Sequence, residues 1–295
     1  MTSQPEQLEI IWEQITQKLE NANLFYGHGA SDASSESIWI LSKCLEITPL
    51  EAFERLDQAC SPAIIAQALK IADERISSRR PLAYILGEAW LIGVPFYSDE
   101  RSIIPRSFIA ELIEDGTLDP WLPPSGKALD LCTGNGSLAI LLALSYPDIS
   151  VAASDLSSDA IALAKRNLER HHLSSQIEIY QGDLWEPLPE PNEDNRFDLI
   201  VCNPPYVNSD SMSKLPQEYL AEPNMALAGG TDGMDLVRKI MSGARAYLNP
   251  RGALLLEIGN EYDYFCEAFP EIPLTWIEVS AGDEQVVLIE AENLP

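Results

Sequence analysis

The sequence predicts an α/β fold in which a doubly wound, seven-stranded Rossmann-like sheet follows a small helical domain and a β-hairpin linker. From Lys127 onward, short apolar runs alternate with helical patterns, which is typical of parallel strands joined by helices. Four of these runs end at polar residues, namely Asp130, Asp155, Asp183 and Asn203. Because the carboxyl ends of parallel strands share one edge of a sheet, we expect the functional site at that edge.

Composition narrows the class of protein further. The chain has 295 residues, of which 46% are apolar, and this is enough for one large domain and a smaller one. Its net charge of −27 repels phosphate backbones, so we expect a basic protein as partner and no stable nucleic-acid binding. The five cysteines include no CxxC pair, which indicates neither a zinc site nor a disulfide framework. We expect no metal, no membrane span and a cytoplasmic location.

The sequence before the predicted sheet divides into two segments. Apolar residues recur at helical spacing over the first 80 residues, and Pro49 and Pro62 fall where helices can begin. Aromatic and β-branched residues broken by glycine and proline follow, which favours a hairpin. In the later part, Asp232 is the expected N-cap of a helix. The predicted domains are a helical domain for substrate recognition over residues 1–80, a hairpin and linker over 81–126, and the sheet domain over 127–295.

The stretch Phe197–Val207, FDLIVCNPPYV, is the most informative part of the chain. Its apolar run, Asp198–Cys202, is typical of a buried strand. Pro204 and Pro205 lack backbone N–H groups and prevent the strand from continuing inside a sheet. The chain must therefore turn out of the sheet here, and two prolines stiffen the backbone that presents Asn203.

A glycine-rich turn follows another predicted strand. Lys127–Cys132 runs into Thr133-Gly134-Asn135-Gly136, where glycine lets a ligand approach the backbone closely. Asp155 follows the turn at about the sequence spacing that is expected of an acid that binds ribose hydroxyls. The turn also matches the dinucleotide pattern of nicotinamide-dependent dehydrogenases. Against that alternative, Asp130 would repel a pyrophosphate but attract a cationic amino-acid group such as that of S-adenosylmethionine.

The order of the motifs DLCTGNG, ASDLS, QGDLW, NPPY and EPNMALAGGTDGMDLVRKI resembles the HemK/PrmC/PrmB family of protein-glutamine amide methyltransferases. The resemblance covers essentially residues 80–291. Asp99-Glu100-Arg101 and Ile104-Pro105-Arg106-Ser107 resemble the PrmB branch, whose substrate is a glutamine of large-subunit ribosomal protein L-three. The release-factor branch usually has Pro-Asp-Thr-Glu after its Pro-Arg. Asn135 departs from the serine or threonine common in the family.

The resemblance implies a class I fold dependent on S-adenosylmethionine, and it implies residue roles. Catalysis is assigned to the tetrad Asn203, Pro204, Pro205 and Tyr206. The implied substrate-binding residues are Asn203, Pro204, Tyr206 and Arg106. The implied cofactor-binding residues are Asp130, Cys132, Thr133, Gly134, Asn135, Gly136, Asp155, Leu156, Asp183, Leu184 and Asn203.

The chemistry of the tetrad agrees with this assignment. An amide nitrogen is a poor nucleophile because its lone pair is delocalised into the carbonyl group. The Asn203 side-chain oxygen and the Pro204 carbonyl can each accept one N–H of a substrate amide, while Tyr206 packs against the flat group. Positioning of this kind can supply several kcal/mol, up to about 7–11 in ideal models. Two alternatives share the motif: glutamine methylation of release factors, and amino-group methylation of nucleic acid, which the negative charge opposes.

Overall fold

The computed structural model describes residues 6–295, which form two compact units. The helical unit comprises the chain up to Ala89 together with Pro216–Ala221. The sheet unit comprises Trp90–Leu215 and Glu222–Pro295. Over the described residues, no helix has both the length and the apolar character needed to cross a membrane.

The helical unit is built from amphipathic helices. Pro49 and Pro62 each occupy the start of a helix, as predicted. The side chains of Thr48 and Ser61 accept hydrogen bonds from backbone N–H groups in the first turns that follow, which caps both helices. The elements of this part of the chain are β1 (Glu6–Gln7), α1 (Leu8–Asn21), α2 (Ala33–Leu45), α3 (Pro49–Glu54), β2 (Ala59–Cys60), α4 (Pro62–Ser78) and α5 (Leu82–Leu86).

A buried ion pair joins α2 to α4. The Arg75 side chain is fully buried, and its Nε lies 3.0 Å from Oε2 of Glu36, which is also buried. Arg75 Nη2 also donates to the Phe25 carbonyl at 3.0 Å. Burial raises the pKa of Glu36, and the arginine opposes this shift. The pair therefore satisfies two groups that would be costly to leave alone in an apolar interior.

The sheet unit follows the predicted alternation of strands and helices. Its first hairpin begins at the unit boundary, and the terminal strands form the predicted antiparallel pair. The elements are β3 (Glu88–Leu91), β4 (Val94–Tyr97), α6 (Ile109–Glu114), β5 (Lys127–Leu131), α7 (Ser137–Ser145), β6 (Ser150–Asp155), α8 (Ser158–Arg170), β7 (Ile177–Gln181), β8 (Phe197–Cys202), α9 (Ser209–Met212), α10 (Asp235–Tyr247), β9 (Leu248–Glu257), α11 (Tyr262–Ala268), β10 (Thr275–Val279) and β11 (Gly282–Glu290).

The sheet unit is built around one mixed β-sheet. In residues 6–295 it has seven strands in the order β10, β11, β9, β8, β5, β6, β7, which confirms the predicted strand number and fold class. The pairs from β9 through β7 are parallel, and β11 is antiparallel to both β9 and β10. Apolar side chains are buried in two clusters, one containing Leu199 and Val201 and the other Ile200 and Cys202. Because alternate residues of β8 enter different clusters, the strand is buried on both faces, as its apolar run predicts.

Two local expectations differ from the structure. The segment after Pro81 begins with the short helix α5, and the hairpin starts only after Gly87, which adopts the left-handed conformation that glycine tolerates. Asp232 is not the N-cap of α10, since Met234 occupies that position. The Asp232 carboxylate instead accepts the Met234 N–H at 3.0 Å and pairs with Arg238.

We expect Arg75→Met to lower the free energy of unfolding by about 3–5 kcal/mol, because it leaves the buried Glu36 carboxylate without its partner. The matched control is Lys18→Met, which removes the Lys18–Asp73 pair, whose side chains are 35% and 63% exposed. Its effect should stay within about 1 kcal/mol. Urea unfolding followed by circular dichroism measures both values, and equal losses would contradict the argument.

Candidate active site

The carboxyl edge of the sheet opens into a cavity whose lining belongs entirely to the sheet unit. The four polar strand ends, Asp130, Asp155, Asp183 and Asn203, all line it. The other predicted site residues on its wall are Cys132, Thr133, Gly134, Asn135, Leu156, Leu184, Pro205 and Arg106. Gly136, Pro204 and Tyr206 do not line this cavity.

Asp130 is the penultimate residue of β5, and its carboxylate is almost completely buried. One oxygen, Oδ2, accepts hydrogen bonds from the Thr133 hydroxyl and from the backbone N–H of Ala139 at 2.9 Å. The other oxygen, Oδ1, is buried and has no hydrogen-bond partner in the described structure. Burial raises the pKa of Asp130 to about 7, and the two donors only partly offset this. The carboxylate therefore retains an unused acceptor at the cavity wall, suited to a cationic group.

Asp155 ends β6 and organises the glycine turn. Its Oδ2 accepts the Gly134 N–H at 2.8 Å, and its Oδ1 accepts the Ser157 N–H at 2.8 Å. Each carboxylate oxygen keeps a further lone pair that a ligand hydroxyl can use. Gly134 has φ +57°, and a Cβ there would lie 2.9 Å from Ser102 Oγ. The turn thus requires glycine both for its backbone conformation and for its closeness to Ser102.

Gly136 has a packing role in this structure. It has φ +83°, and a Cβ there would approach Ala164 of α8 to 3.2 Å. Asn167 of the same helix donates to the Asn135 carbonyl at 2.9 Å. The second glycine of the turn therefore lets α8 pack closely against it, while the first faces the cavity.

The side-chain amide of Asn203 has a defined orientation. Its Nδ2 donates to the Arg106 carbonyl at 3.2 Å. The opposite atom, Oδ1, is therefore left as the acceptor of the amide, and the residue itself lines the cavity. This arrangement can hold an N–H donor of a substrate at the point where β8 leaves the sheet.

Arg106 lines the cavity, and its guanidinium group forms an ion pair with Glu222. Its Nη1 and Nη2 lie 2.5 and 2.6 Å from the two carboxylate oxygens of Glu222, whose side chain is fully buried. Glu222 also accepts the Ile104 N–H at 3.0 Å. This forked pair fixes the Ile104–Arg106 backbone, and with it the carbonyl that orients Asn203. The Arg106 contact with substrate remains a prediction.

Tyr206 points toward the interior of the sheet unit. Its hydroxyl donates to Oε1 of Glu257 at 3.3 Å. Its ring lies beside Gly259, where a Cβ would come within 2.5 Å of a ring carbon. Gly229 approaches the Tyr206 backbone equally closely, since a Cβ there would lie 2.7 Å from Tyr206 Cα. Glycine therefore occupies both positions, because a side chain there would collide with Tyr206.

Sequence reasoning missed Glu222, Glu257 and Ser107. Glu257 ends the apolar run Leu254–Glu257, the same signature that revealed Asp130, so the sequence did contain a signal for it. Glu222 is the first residue of the motif EPNMALAGGTDGMDLVRKI, but it ends no apolar run, so nothing local indicated its role. Its partner Arg106 is 116 positions away in the chain, and only the fold brings the two together.

Comparisons with known proteins identify the family of the chain. The family model described as "Methyltransferase small domain" matches residues 112–232. The ribosomal protein uL3 glutamine methyltransferase of Burkholderia pseudomallei is 44% identical over 305 residues, covering 100% of this chain and 99% of the relative. Proteins of the same name from Bordetella pertussis and Neisseria gonorrhoeae are 44% and 42% identical, each covering 94% of this chain and 92% of the relative.

This similarity extends through both units. It confirms the predicted enzyme class and the predicted branch of the family. The chain belongs to the family of ribosomal protein uL3 glutamine methyltransferases.

Proposed function

We propose that this chain transfers a methyl group from S-adenosylmethionine to the side-chain amide nitrogen of a glutamine in ribosomal protein uL3. The observation that carries the proposal is Asn203, whose amide is oriented by the Arg106 carbonyl so that Oδ1 is its free acceptor at the cavity. The names of the full-length relatives support the choice of substrate.

S-adenosylmethionine supplies a methyl group on a positively charged sulfur. The residues at the cavity suit this molecule, because Asp130 offers a buried acceptor without a partner and Asp155 keeps lone pairs for hydroxyls. Gly134 lets the ligand approach the backbone. Leu156 and Leu184 add apolar surface to the same wall and would hold the adenine together with Asp183.

At the acceptor end, the chain must hold the substrate amide without protonating its nitrogen. Asn203 Oδ1 accepts one N–H, and the Pro204 carbonyl is the proposed acceptor for the other. With both N–H groups held, the nitrogen lone pair is directed at the methyl group. The proton of the methylated amide is lost after transfer, so the step needs no general base.

Charge favours a ribosomal protein as partner. A chain with a net charge of −27 attracts a basic protein and disfavours contact with nucleic acid. We also propose a cytoplasmic location, where ribosomal proteins are synthesised. Recognition of the substrate by residues 1–80 remains a prediction.

The test is transfer of labelled methyl from S-adenosylmethionine into a lysate of cells that lack this protein, with untreated, nuclease-treated and protease-treated samples. Mass spectrometry then locates the label. Label on a glutamine of uL3 supports the proposal. Label in a release factor would move the activity to the related branch, and label removed by nuclease would show that the substrate is nucleic acid.

We expect the affinity for S-adenosylmethionine to weaken as the pH falls below about 7, by up to about tenfold for each pH unit. The raised pKa means that Asp130 is protonated below about pH 7. The ammonium group of the cofactor favours the ionised carboxylate, so binding below that pH must release a proton.

Calorimetric titration between pH 5.5 and 7.5, below the range in which an α-amino group loses its proton, measures this dependence. The control is Asp130→Asn, which should bind more weakly at pH 7.5 and show a flat profile over this range. A flat profile in the unmodified chain would mean that Asp130 does not face the cationic group.

Asn203→Ala and Asp155→Ala should separate the two ends of the site. We expect Asn203→Ala to lower kcat by about 100-fold or more while cofactor affinity stays unchanged, because Oδ1 holds only the substrate amide. Asp155→Ala should weaken cofactor affinity by about 10- to 100-fold, as expected for lost hydrogen bonds to a charged group. Calorimetry and methyl transfer into purified uL3 distinguish them, and loss of cofactor binding in Asn203→Ala would contradict its assignment.

A further inference from the structure

Glu257 is a buried carboxylate at the end of β9, outside the motifs that define the family resemblance. The residue is 3% exposed. Its Oε2 accepts the Ser107 hydroxyl at 2.5 Å and the Phe108 N–H at 2.9 Å. Its Oε1 accepts the Tyr206 hydroxyl at 3.3 Å. One side chain therefore joins two segments that are separated by about a hundred residues in the sequence.

Both segments lead directly to Asn203. Ser107 follows Arg106, whose carbonyl accepts the Asn203 Nδ2 hydrogen bond. Tyr206 is the last residue of the tetrad that Asn203 begins. We propose that Glu257 is a positioning residue for methyl transfer, which holds the Arg106–Phe108 segment and the tetrad together so that Asn203 Oδ1 is aimed at the substrate amide. This inference rests on the proposed function and adds a residue to it.

The donors that face Glu257 are neutral. They are the hydroxyls of Ser107 and Tyr206 and the backbone N–H groups of Phe108 and Ile109. Burial raises the pKa of Glu257 to about 7, although the donors favour its ionised form. The ionised carboxylate can accept from every donor at once. The protonated acid carries a hydrogen on one oxygen, so a hydroxyl on that side must reverse and accept, and the other hydrogen bonds lose the charge that strengthens them. Protonation therefore weakens the clamp.

The ionised and the protonated forms of Glu257 should therefore support different values of kcat, which a residue with only a packing role would not do. With uL3 and cofactor saturating, kcat should fall as pH drops below about 7, because protonation of Glu257 loosens the clamp. Bound cofactor keeps Asp130 ionised under these conditions, so its titration affects cofactor affinity rather than kcat. A low-pH decrease in kcat that disappears in Glu257→Gln therefore belongs to Glu257.

The decisive experiment compares kcat, KM and pH profiles for Glu257→Gln, Ser107→Ala, Tyr206→Phe and the double variant of the last two. Glu257→Gln keeps the shape but turns an NH₂ group toward a donor, so we expect kcat to fall about 10- to 100-fold with cofactor affinity unchanged. Its low-pH decrease should disappear. Glu278→Gln, at an exposed strand position, is the matched control and should leave kcat unchanged.

Ser107→Ala and Tyr206→Phe keep the test decisive if Glu257→Gln fails to fold. Each removes one donor to the same carboxylate, and the shared partner couples them, so their combined effect on kcat should differ from the product of the single effects by about threefold or more. Purely multiplicative effects together with an unchanged pH profile would overturn the inference. If the unmodified chain transfers no methyl to uL3, the proposed function itself fails, and that result is distinct from normal transfer by Glu257→Gln.

Discussion

The sheet unit depends on one constraint, namely that a strand buried on both faces must leave the sheet at Pro204. Neither proline can donate to a neighbouring strand, so β8 ends at the same edge where β5, β6 and β7 end. The backbone that emerges is then paired again, since the Val207 N–H donates to Leu227 and the Gly229 N–H donates to Val207, both at 2.9 Å. Because both sides of the tetrad are held by backbone hydrogen bonds, the tetrad has little freedom to adjust to a ligand. A site that must orient a weakly nucleophilic amide benefits from this rigidity.

Buried acids at this edge are held in different ways. Glu222 is matched by the forked guanidinium of Arg106, which neutralises it. Asp130 and Glu257 have only neutral donors, and burial raises the pKa of each to about 7. Ionising a buried carboxyl group that has no charged partner costs free energy. A bound cationic ligand or several hydrogen-bond donors on the same carboxylate reduce this cost. Asp130, at the cavity wall, and Glu257, in contact with the tetrad through Tyr206, illustrate these two solutions.

The sequence allowed prediction of what depends on neighbouring residues. Strand ends, the glycine turn and the proline break are local patterns, and the structure places Asp130, Asp155 and Asn203 on one cavity as those patterns indicate. The orientation of Asn203 could not be predicted, because it depends on a carbonyl 97 positions away. The contact of the Tyr206 hydroxyl with Glu257, 51 positions away, could not be predicted either. Periodicity and motif spacing carry no information about contacts of this range.

The helical unit is discontinuous in the chain, because Pro216–Ala221 belongs to it. Within that segment, Glu218 is buried and accepts the Phe25 N–H at 3.1 Å, and it pairs with Arg79 at 2.5 Å. A growing polypeptide therefore cannot complete this unit when residue 89 has been made. Phe25 and Arg79 must wait for more than a hundred further residues to be synthesised, including most of the parallel strands. The order of translation thus makes the first unit of the chain one of the last to acquire its full set of native contacts.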